Sequence, residues 1–281
     1  METAFAVIAA LTGLILGSFA TCAGPRLAHG GSVTSPARSY CPACDHTLSW
    51  RENLPLFGYL LQGGRCRFCH ARIPARYPLA ELTLVLYCLA AAQVFGPGLP
   101  WLIAALFGTL LLVLSLIDLE SYLLPDILTL PGAVLALVAS SFLPPAHTLG
   151  IGWQQALLGA ALGGGGLWLV SELYRRLRGR EGLGLGDAKL LLLVGALLGP
   201  LAIPLTLVGG ALFALPFGLV AAVRTAREDA AVDVADEAVD DDELNGTGLS
   251  VAIPFGPFLC AAAALSLLYG PQLLRWWLGI G

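Results

Sequence analysis

Six acidic side chains lie inside or at the ends of long apolar stretches, and they are the residues best able to do chemistry there. A charged group is costly in a membrane, so acids in such positions are few and each is a functional candidate. Two carboxyl groups held close together do not both ionise easily, so one can stay protonated while the other activates a water molecule. A pair drawn from this set could therefore catalyse hydrolysis. The six are Glu81, Asp118, Glu120, Asp126, Glu172 and Asp187.

The strongest pair in this set is Asp118 and Asp187, because neither has a sufficient structural explanation. Asp118 directly follows an apolar run, where the dipole of a helix C-terminus disfavours an anion and the local sequence offers no partner. Asp187 precedes an apolar run and could act as a helix N-cap. A cap does not need glycines at three alternate positions, Gly182, Gly184 and Gly186, which permit close approach of another segment or of a substrate.

Two of the other acids have simpler interpretations. Asp126 follows Pro125 at the start of an apolar run, which is typical of a capped helix start. Glu172 shortly precedes an arginine-rich segment, which predicts an ion pair at the membrane surface. No serine, histidine and aspartate combination competes as a catalytic set, because the histidines all lie in predicted loops. They are His29, His46, His70 and His147.

The largest polar segment contains two C-x2-C pairs separated by 21 residues, Cys41 with Cys44 and Cys66 with Cys69. Four thiolates at this spacing are typical of a tetrahedral structural zinc site. Two disulfides or redox-active thiols are the alternatives, and a nearby histidine, His46 or His70, could replace a ligand. We expect zinc, since the orientation derived below places this segment in the cytoplasm, where disulfides are rare. The metal should supply much of the folding free energy of the loop.

These residues must be positioned by membrane helices. The chain has 281 residues, of which 57% are hydrophobic and 12% are charged, and its mean hydropathy is +0.79. This composition excludes an ordinary water-soluble domain. Crossing a bilayer takes about 20 apolar residues, and eight candidates cover residues 4–22, 79–95, 101–117, 127–143, 154–174, 188–203, 205–223 and 257–278. We therefore predict an all-α polytopic membrane protein with about eight transmembrane helices and a zinc-binding loop.

The cations orient these helices. With eight spans, fourteen of the 15 Lys and Arg residues fall on one side of the membrane, and the positive-inside rule makes that side the cytoplasm. Both termini are then outside. The first span lacks a basic segment before it, so we expect a retained helix and not a cleaved signal peptide. Asp118 and Asp187 both fall at the cytoplasmic edge, where they could face each other.

The predicted organisation has three parts. Residues 1–22 form the first transmembrane helix, residues 23–78 form a cytoplasmic tetracysteine loop, and residues 79–281 form the remaining transmembrane domain. Nine acids lie between Glu228 and Glu243 without an aromatic residue, which favours a solvated, disordered loop at about 225–248.

Several stretches resemble a known family. GLGLGDAKLL, which ends at Leu191, resembles the G-x-G-D signature of polytopic membrane aspartic proteases. Most of the chain is similar to the bacterial type IV prepilin peptidases, the bifunctional leader peptidase/N-methyltransferases. The matching stretches, in order, are GSF at 17–19, CPAC with NLPLFGYLLQGGRCRFC in the cysteine loop, RYPLAE at 76–81, IDLESYLLPDILTLP, the G-x-G-D stretch and IPFGPFL at 253–259.

The resemblance implies two reactions. The leader of type IV prepilins and type II secretion pseudopilins would be cleaved after a glycine at the cytoplasmic face of the inner membrane, with Asp118 and Asp187 as the catalytic pair. The new N-terminus would then be methylated from S-adenosylmethionine by a region that includes the cysteine loop. No glycine-rich nucleotide-binding turn identifies the residues that bind this methyl donor. Supporting roles are implied for Asp126, Gly184, Gly186, Lys189 and Glu81.

Two other functions remain open from the residues themselves. A transporter could use intramembrane acids to relay protons, with the zinc loop as a regulatory domain, although the halves of the chain show no repeat of the kind many transporters have. A zinc-containing membrane scaffold for pilus assembly without catalysis is the third. The expected partners are prepilin-like substrates and the lipid bilayer, and no nucleic acid.

Overall fold

The computed structural model describes residues 2–36, 38–143, 149–179, 184–233 and 254–279. Within these ranges the only strand-like pairings are two isolated bridges in the cysteine loop. The rest of the regular structure is helical. The helices are α1 Glu2–Ala28, α2 Phe57–Leu61, α3 Arg76–Phe95, α4 Leu99–Ser121, α5 Asp126–Phe142, α6 Trp153–Ala160, a π-helical segment Ala161–Gly166, α7 Leu167–Arg178, α8 Leu185–Leu198, α9 Ala202–Asp233 and α10 Gly256–Leu278.

The predicted all-α membrane architecture is confirmed, but the predicted number of spans is not. Six described helical segments are long and apolar enough to cross a membrane: Thr3–Ala28, Arg76–Phe95, Leu99–Ser121, Trp153–Arg178, Ala202–Arg224 and Gly256–Trp277. The predicted fourth span is the shorter helix α5. The predicted sixth is α8, which has 14 residues and ends before Gly199, a glycine with φ +81° that Pro200 follows. The chain is thus a multi-pass membrane protein, and the part of it that the structure describes holds six helical segments of spanning length.

One end of the bundle carries the cysteine loop, and we call it the loop end. Glu120 near the end of α4 forms an ion pair of 2.9 Å with Arg76 at the start of α3. The other carboxylate oxygen of Glu120 lies 3.5 Å from His29, just beyond α1. At the opposite end, Trp101 near the start of α4 packs edge-on against Phe5 of α1, with ring centroids 5.1 Å apart. The ends of α1 and α4 and the start of α3 therefore meet at the loop end.

Helix α8 forms the centre of the bundle. Its side chains from Leu190 to Leu197 are almost entirely inaccessible except that of Leu192, which is half-buried. The helix packs against α5, α6 and α10. Close packing on α6 and on the π-helical segment after it depends on glycine. A Cβ at Gly159 would lie 2.7 Å from the carbonyl carbon of Gly199, and one at Gly163 would lie 2.8 Å from that of Leu191. The four-residue spacing of Gly159 and Gly163 is typical of such close helix contacts in membranes.

Helix α9 is longer than the sequence indicates. It continues to Asp233, into the segment that we predicted to be a disordered acidic loop from about residue 225. Residues 234–250, which carry the rest of that predicted loop, lie outside the described ranges, as does His147.

Candidate active site and metal site

A cavity of about 610 Å³ opens among the helix termini at the loop end, and we call it the acid cavity. Both Asp118 and Asp187 line it, together with Gly256 at the start of α10 and Trp168 of α7. The two carboxyl groups are close enough to repel each other electrostatically. The predicted meeting of these two acids is therefore present in the fold, from helices that are far apart in sequence.

Asp118 lies in the last turn of α4 and is 6% exposed. The sequence suggested that its helix ends just before it, but α4 continues to Ser121. Its partner comes from a distant segment: the backbone N–H of Gly256 donates to Oδ2 of Asp118 over 3.0 Å. This donor stabilises a carboxylate that the dipole of its own helix disfavours.

Asp187 lies in the first turn of α8, but it is not the N-cap. The helix begins at Leu185 after Gly184, and this cap position makes no side-chain hydrogen bond. The interpretation of Asp187 as a cap is therefore wrong, although its place in the first turn is still favoured by the helix dipole. Gly186 has a separate role: a Cβ there would lie 3.0 Å from Cδ1 of Leu124, so glycine lets α8 start against the turn between α4 and α5.

Asp126 and Lys189 form an ion pair between the starts of α5 and α8. Asp126 is the first residue of α5, after the N-cap residue Pro125, and no side chain caps this helix. The pair therefore replaces the capping role that the sequence suggested. Lys189 also lines the acid cavity. Glu172 pairs with both Arg175 and Arg176, as its sequence context predicted.

Glu81 is not part of the acid cavity. It is 8% exposed in α3 and accepts a 2.7 Å hydrogen bond from the backbone N–H of Leu56 in the cysteine loop. The hydroxyl of Ser18 in α1 also hydrogen-bonds to it. A Cβ at Gly17 would lie 2.9 Å from the Cα of Glu81, so glycine lets α1 and α3 approach closely here. Glu81 thus joins the loop to two membrane helices.

The four predicted metal ligands form one cluster. The Sγ atoms of Cys41, Cys44, Cys66 and Cys69 all lie within 4.8 Å of one another, and Cys41 and Cys69 are 3.8 Å apart. Zinc–sulfur bonds of about 2.3 Å in a tetrahedron place sulfurs about 3.8 Å apart, so the cluster fits a zinc ion. His46 and His70 do not belong to this cluster, and four thiolates complete a tetrahedral shell.

The two C-x2-C turns are built alike. In each, the first cysteine donates its N–H to a carbonyl five residues on, Cys41 to His46 and Cys66 to Ala71, both over 2.9 Å. Backbone N–H groups of Cys69 and Phe68 lower the pKa of the Cys66 thiol to about 7. This favours the thiolate, which is the form that binds metal.

Sequence reasoning missed three participants in these sites. Gly256 lies in the quoted IPFGPFL stretch, and its place before an apolar run could have suggested a helix N-terminus with unpaired N–H groups. Leu124 lies in the quoted stretch that begins just before Asp118, but nothing in the sequence indicates that it contacts Gly186, because this contact forms only when the helices pack. Leu56 has φ +59°, and no sequence signal indicates that its N–H reaches Glu81.

Comparison with known proteins identifies the family. Residues 11–95 match the bacterial peptidase A24 N-terminal domain, and residues 105–219 match the type IV leader peptidase family. A prepilin leader peptidase/N-methyltransferase of Aeromonas salmonicida (strain A449) is 37% identical over 244 residues, which cover 86% of this chain and 74% of that protein. A protein of the same name from Klebsiella pneumoniae is 40% identical over 70% of this chain and 86% of its own length. Another from Pseudomonas putida is 33% identical over 97% of this chain and 94% of its own length. No solved structure matches. The chain therefore belongs to the type IV leader peptidase family of prepilin leader peptidase/N-methyltransferases.

Proposed function

We propose that the acid cavity is the peptidase site and that Asp118 and Asp187 are its catalytic pair. The observation that carries this proposal is that both carboxyl groups line one cavity although they lie on α4 and α8. Two acids that repel each other favour the state in which they share one proton. The hydrogen bond from Gly256 favours ionised Asp118, so Asp187 would carry that proton.

The pair would act as an acid and a base on a peptide bond. Ionised Asp118 takes a proton from a water molecule, whose oxygen forms a bond to the scissile carbonyl carbon, while protonated Asp187 donates to the carbonyl oxygen. The tetrahedral intermediate then collapses: the C=O bond re-forms as Asp187 takes the hydroxyl proton, the C–N bond breaks, and Asp118 gives its proton to the leaving nitrogen. The products are a carboxylic acid and an amine.

The proposed substrates are type IV prepilins and type II secretion pseudopilins, cleaved after the glycine that ends their leader. The names of the relatives support prepilins as the substrate class. We further propose that the loop end faces the cytoplasm in the inner membrane. The asymmetry of Lys and Arg supports this orientation, since the cysteine loop alone carries Arg38, Arg51, Arg65, Arg67 and Arg72.

The second proposed activity is methylation of the new N-terminal amine with S-adenosylmethionine as methyl donor. In this reaction a bond forms between the amine nitrogen and the methyl carbon, the carbon–sulfur bond breaks with its electron pair going to sulfur, and the amine releases a proton to water. The structural ion would be zinc, held by Cys41, Cys44, Cys66 and Cys69, whose geometry fits it.

The peptidase proposal is tested with Asp118→Asn and Asp187→Asn variants of the purified protein and a prepilin-type peptide. Each variant should lose leader cleavage, measured by mass spectrometry, while the protein still accumulates in membranes. Asp45→Asn, which changes an exposed acid in the cysteine loop, is the matched control and should cleave normally. Full activity in either of the first two variants would refute the assignment, and pH-dependent ion flux without cleavage would favour a transporter.

A further inference from the structure

A second cavity, of about 630 Å³, lies between α1 and the cysteine loop, and we call it the loop cavity. Its size falls within the range of small-molecule sites, about 300–1,000 Å³. Ser18 and Phe19 of α1 form one wall, and Trp50, Asn53 and Pro55 of the loop form another. Neither Asp118 nor Asp187 lines it, and it shares no lining residue with the acid cavity.

The division of the family between two domains supports a separate function. The lining residues of the loop cavity run from Ile15 to Pro55, inside the N-terminal domain that matches residues 11–95. Asp118 and Asp187 fall inside the leader peptidase match at residues 105–219. The relatives are named for two activities, and the peptidase activity has its own cavity. The methyltransferase activity therefore needs a site, and the N-terminal domain contains a cavity to hold it.

Two of the stretches that carry the family resemblance line this cavity, and a third holds its two walls together. GSF supplies Ser18 and Phe19, and NLPLFGYLL supplies Asn53 and Pro55. RYPLAE supplies Glu81, which holds the loop by accepting the N–H of Leu56 over 2.7 Å and binding the Ser18 hydroxyl. None of these stretches contributes to the acid cavity.

The chemistry of the lining suits a nucleoside that carries a positive charge and an amino-acid group. The guanidinium of Arg51 lies over the Trp50 ring, 5.2 Å from its centroid. The side chains of Trp50 and Phe19 are still 71% and 50% exposed, so ring surface is available to stack on a purine and to face a cation. Asn53 supplies an amide for polar edges, and Arg38 supplies a guanidinium for a carboxylate.

The wall of the cavity that carries Arg38 is fixed by hydrogen bonds from Arg26. Arg26 donates to the carbonyl oxygens of Val33 and Pro36 over 3.0 and 2.8 Å, and to that of Arg38 over 3.2 Å. Its guanidinium is therefore used to hold the segment that presents Arg38. A pre-formed wall lowers the cost of binding, because less of the chain must be ordered by the ligand.

We infer that the loop cavity is the binding site for S-adenosylmethionine, with Trp50 and Asn53 as direct contacts and Glu81 as a positioning residue. This inference rests on the proposed methyltransferase function. Glu81 acts through Leu56 and not by contact: it fixes the backbone just beyond Pro55 and so holds Asn53 and Pro55 against α1.

The test measures binding of radiolabelled S-adenosylmethionine to the full-length, zinc-loaded protein, independently of turnover. Trp50→Ala and Asn53→Ala should each raise Kd at least tenfold, while zinc content and leader cleavage stay at the wild-type level. Two controls should bind normally: Trp276→Ala, an exposed tryptophan near the end of α10, and Asp187→Asn in the acid cavity. Ultraviolet cross-linking of the bound donor should label the segment from Leu48 to Pro55.

Variants of Glu81 test whether this residue positions the loop or contacts the methyl donor directly. Glu81→Ala should weaken binding, and Glu81→Gln should restore it, because an amide oxygen can still accept the N–H of Leu56. The inference is overturned if the wild type binds the donor and both Trp50→Ala and Asn53→Ala bind it equally well, or if the cross-link maps to the acid cavity. If the wild type does not bind S-adenosylmethionine at all, the proposed methyltransferase function itself fails.

Discussion

Gly256 donates its backbone N–H to Oδ2 of Asp118 over 3.0 Å and thereby joins two helix termini that are 138 residues apart in sequence. The donor is one of the N–H groups that a helix start leaves without an intrahelical partner. The position also requires glycine for steric reasons, because a Cβ there would lie 2.6 Å from the same oxygen of Asp118. The start of α10 is therefore shaped around the buried carboxylate.

Gly256→Ala should impair peptide cleavage without preventing folding. The added methyl group must displace the Asp118 carboxylate, so kcat/KM for leader cleavage should fall at least about tenfold, which is ~1.4 kcal/mol of transition-state stabilisation. Gly270→Ala is the matched control in the same helix, because its Cβ would meet its nearest atom only at 3.9 Å. Equal cleavage rates in the two variants would show that the Gly256 contact does not orient Asp118.

Gly159→Ala should destabilise the bundle through the contact of α6 with α8. A Cβ there would lie 2.2 Å from the carbonyl oxygen of Gly195 and 2.7 Å from the carbonyl carbon of Gly199, and these backbone atoms cannot move like a flexible side chain. Overpacking of this kind costs about 1–3 kcal/mol. Gly165→Ala serves as the control, because nothing lies within 4 Å of its added Cβ. Thermal unfolding in detergent should separate the two, and an unchanged midpoint for Gly159→Ala would contradict the predicted clash.

The sequence predicts which helices carry the site, because apolar runs and the positions of Lys and Arg can be recognised within short stretches of the chain. Asp118 and Asp187 are expected at one depth for that reason, and the four cysteines are expected to cluster because their spacing is itself the signal. The positions of helix ends are predicted less well: α4 continues past Asp118, and α8 begins before Asp187.

The contacts that complete each site are not predictable in this way. The N–H of Gly256 reaches Asp118, and the N–H of Leu56 reaches Glu81, only after distant helices have packed. A backbone donor carries no side-chain signature in the sequence, so neither partner is visible before the fold is known. The loop cavity is missed for the same reason, since no single stretch supplies it.

The pair of Asp126 and Lys189 should respond asymmetrically to mutation. Asp126 is in the first turn of α5, where the helix dipole favours an anion, whereas Lys189 is near the start of α8, where the dipole disfavours a cation. Asp126→Asn leaves the badly placed cation without its partner and should lower the unfolding midpoint more than Lys189→Gln. Both side chains are partly exposed, so a double-mutant cycle should give a coupling of only about 0.2–1 kcal/mol. A larger loss from Lys189→Gln would refute this order.

Metal removal should unfold the cysteine loop and stop methyl transfer before it affects peptide cleavage, because the acid cavity is built from other segments. Elemental analysis should find one zinc per chain, and Cys44→Ser should lose it, whereas Cys88→Ala, which changes a buried cysteine outside the cluster, should retain it. A thiol binds zinc only as its thiolate, so protons compete with zinc for the four cysteines as the pH falls. A chelator should therefore extract zinc faster at pH 6 than at pH 8. Retention of zinc by Cys44→Ser, or faster loss at the higher pH, would contradict a site made of these four thiolates.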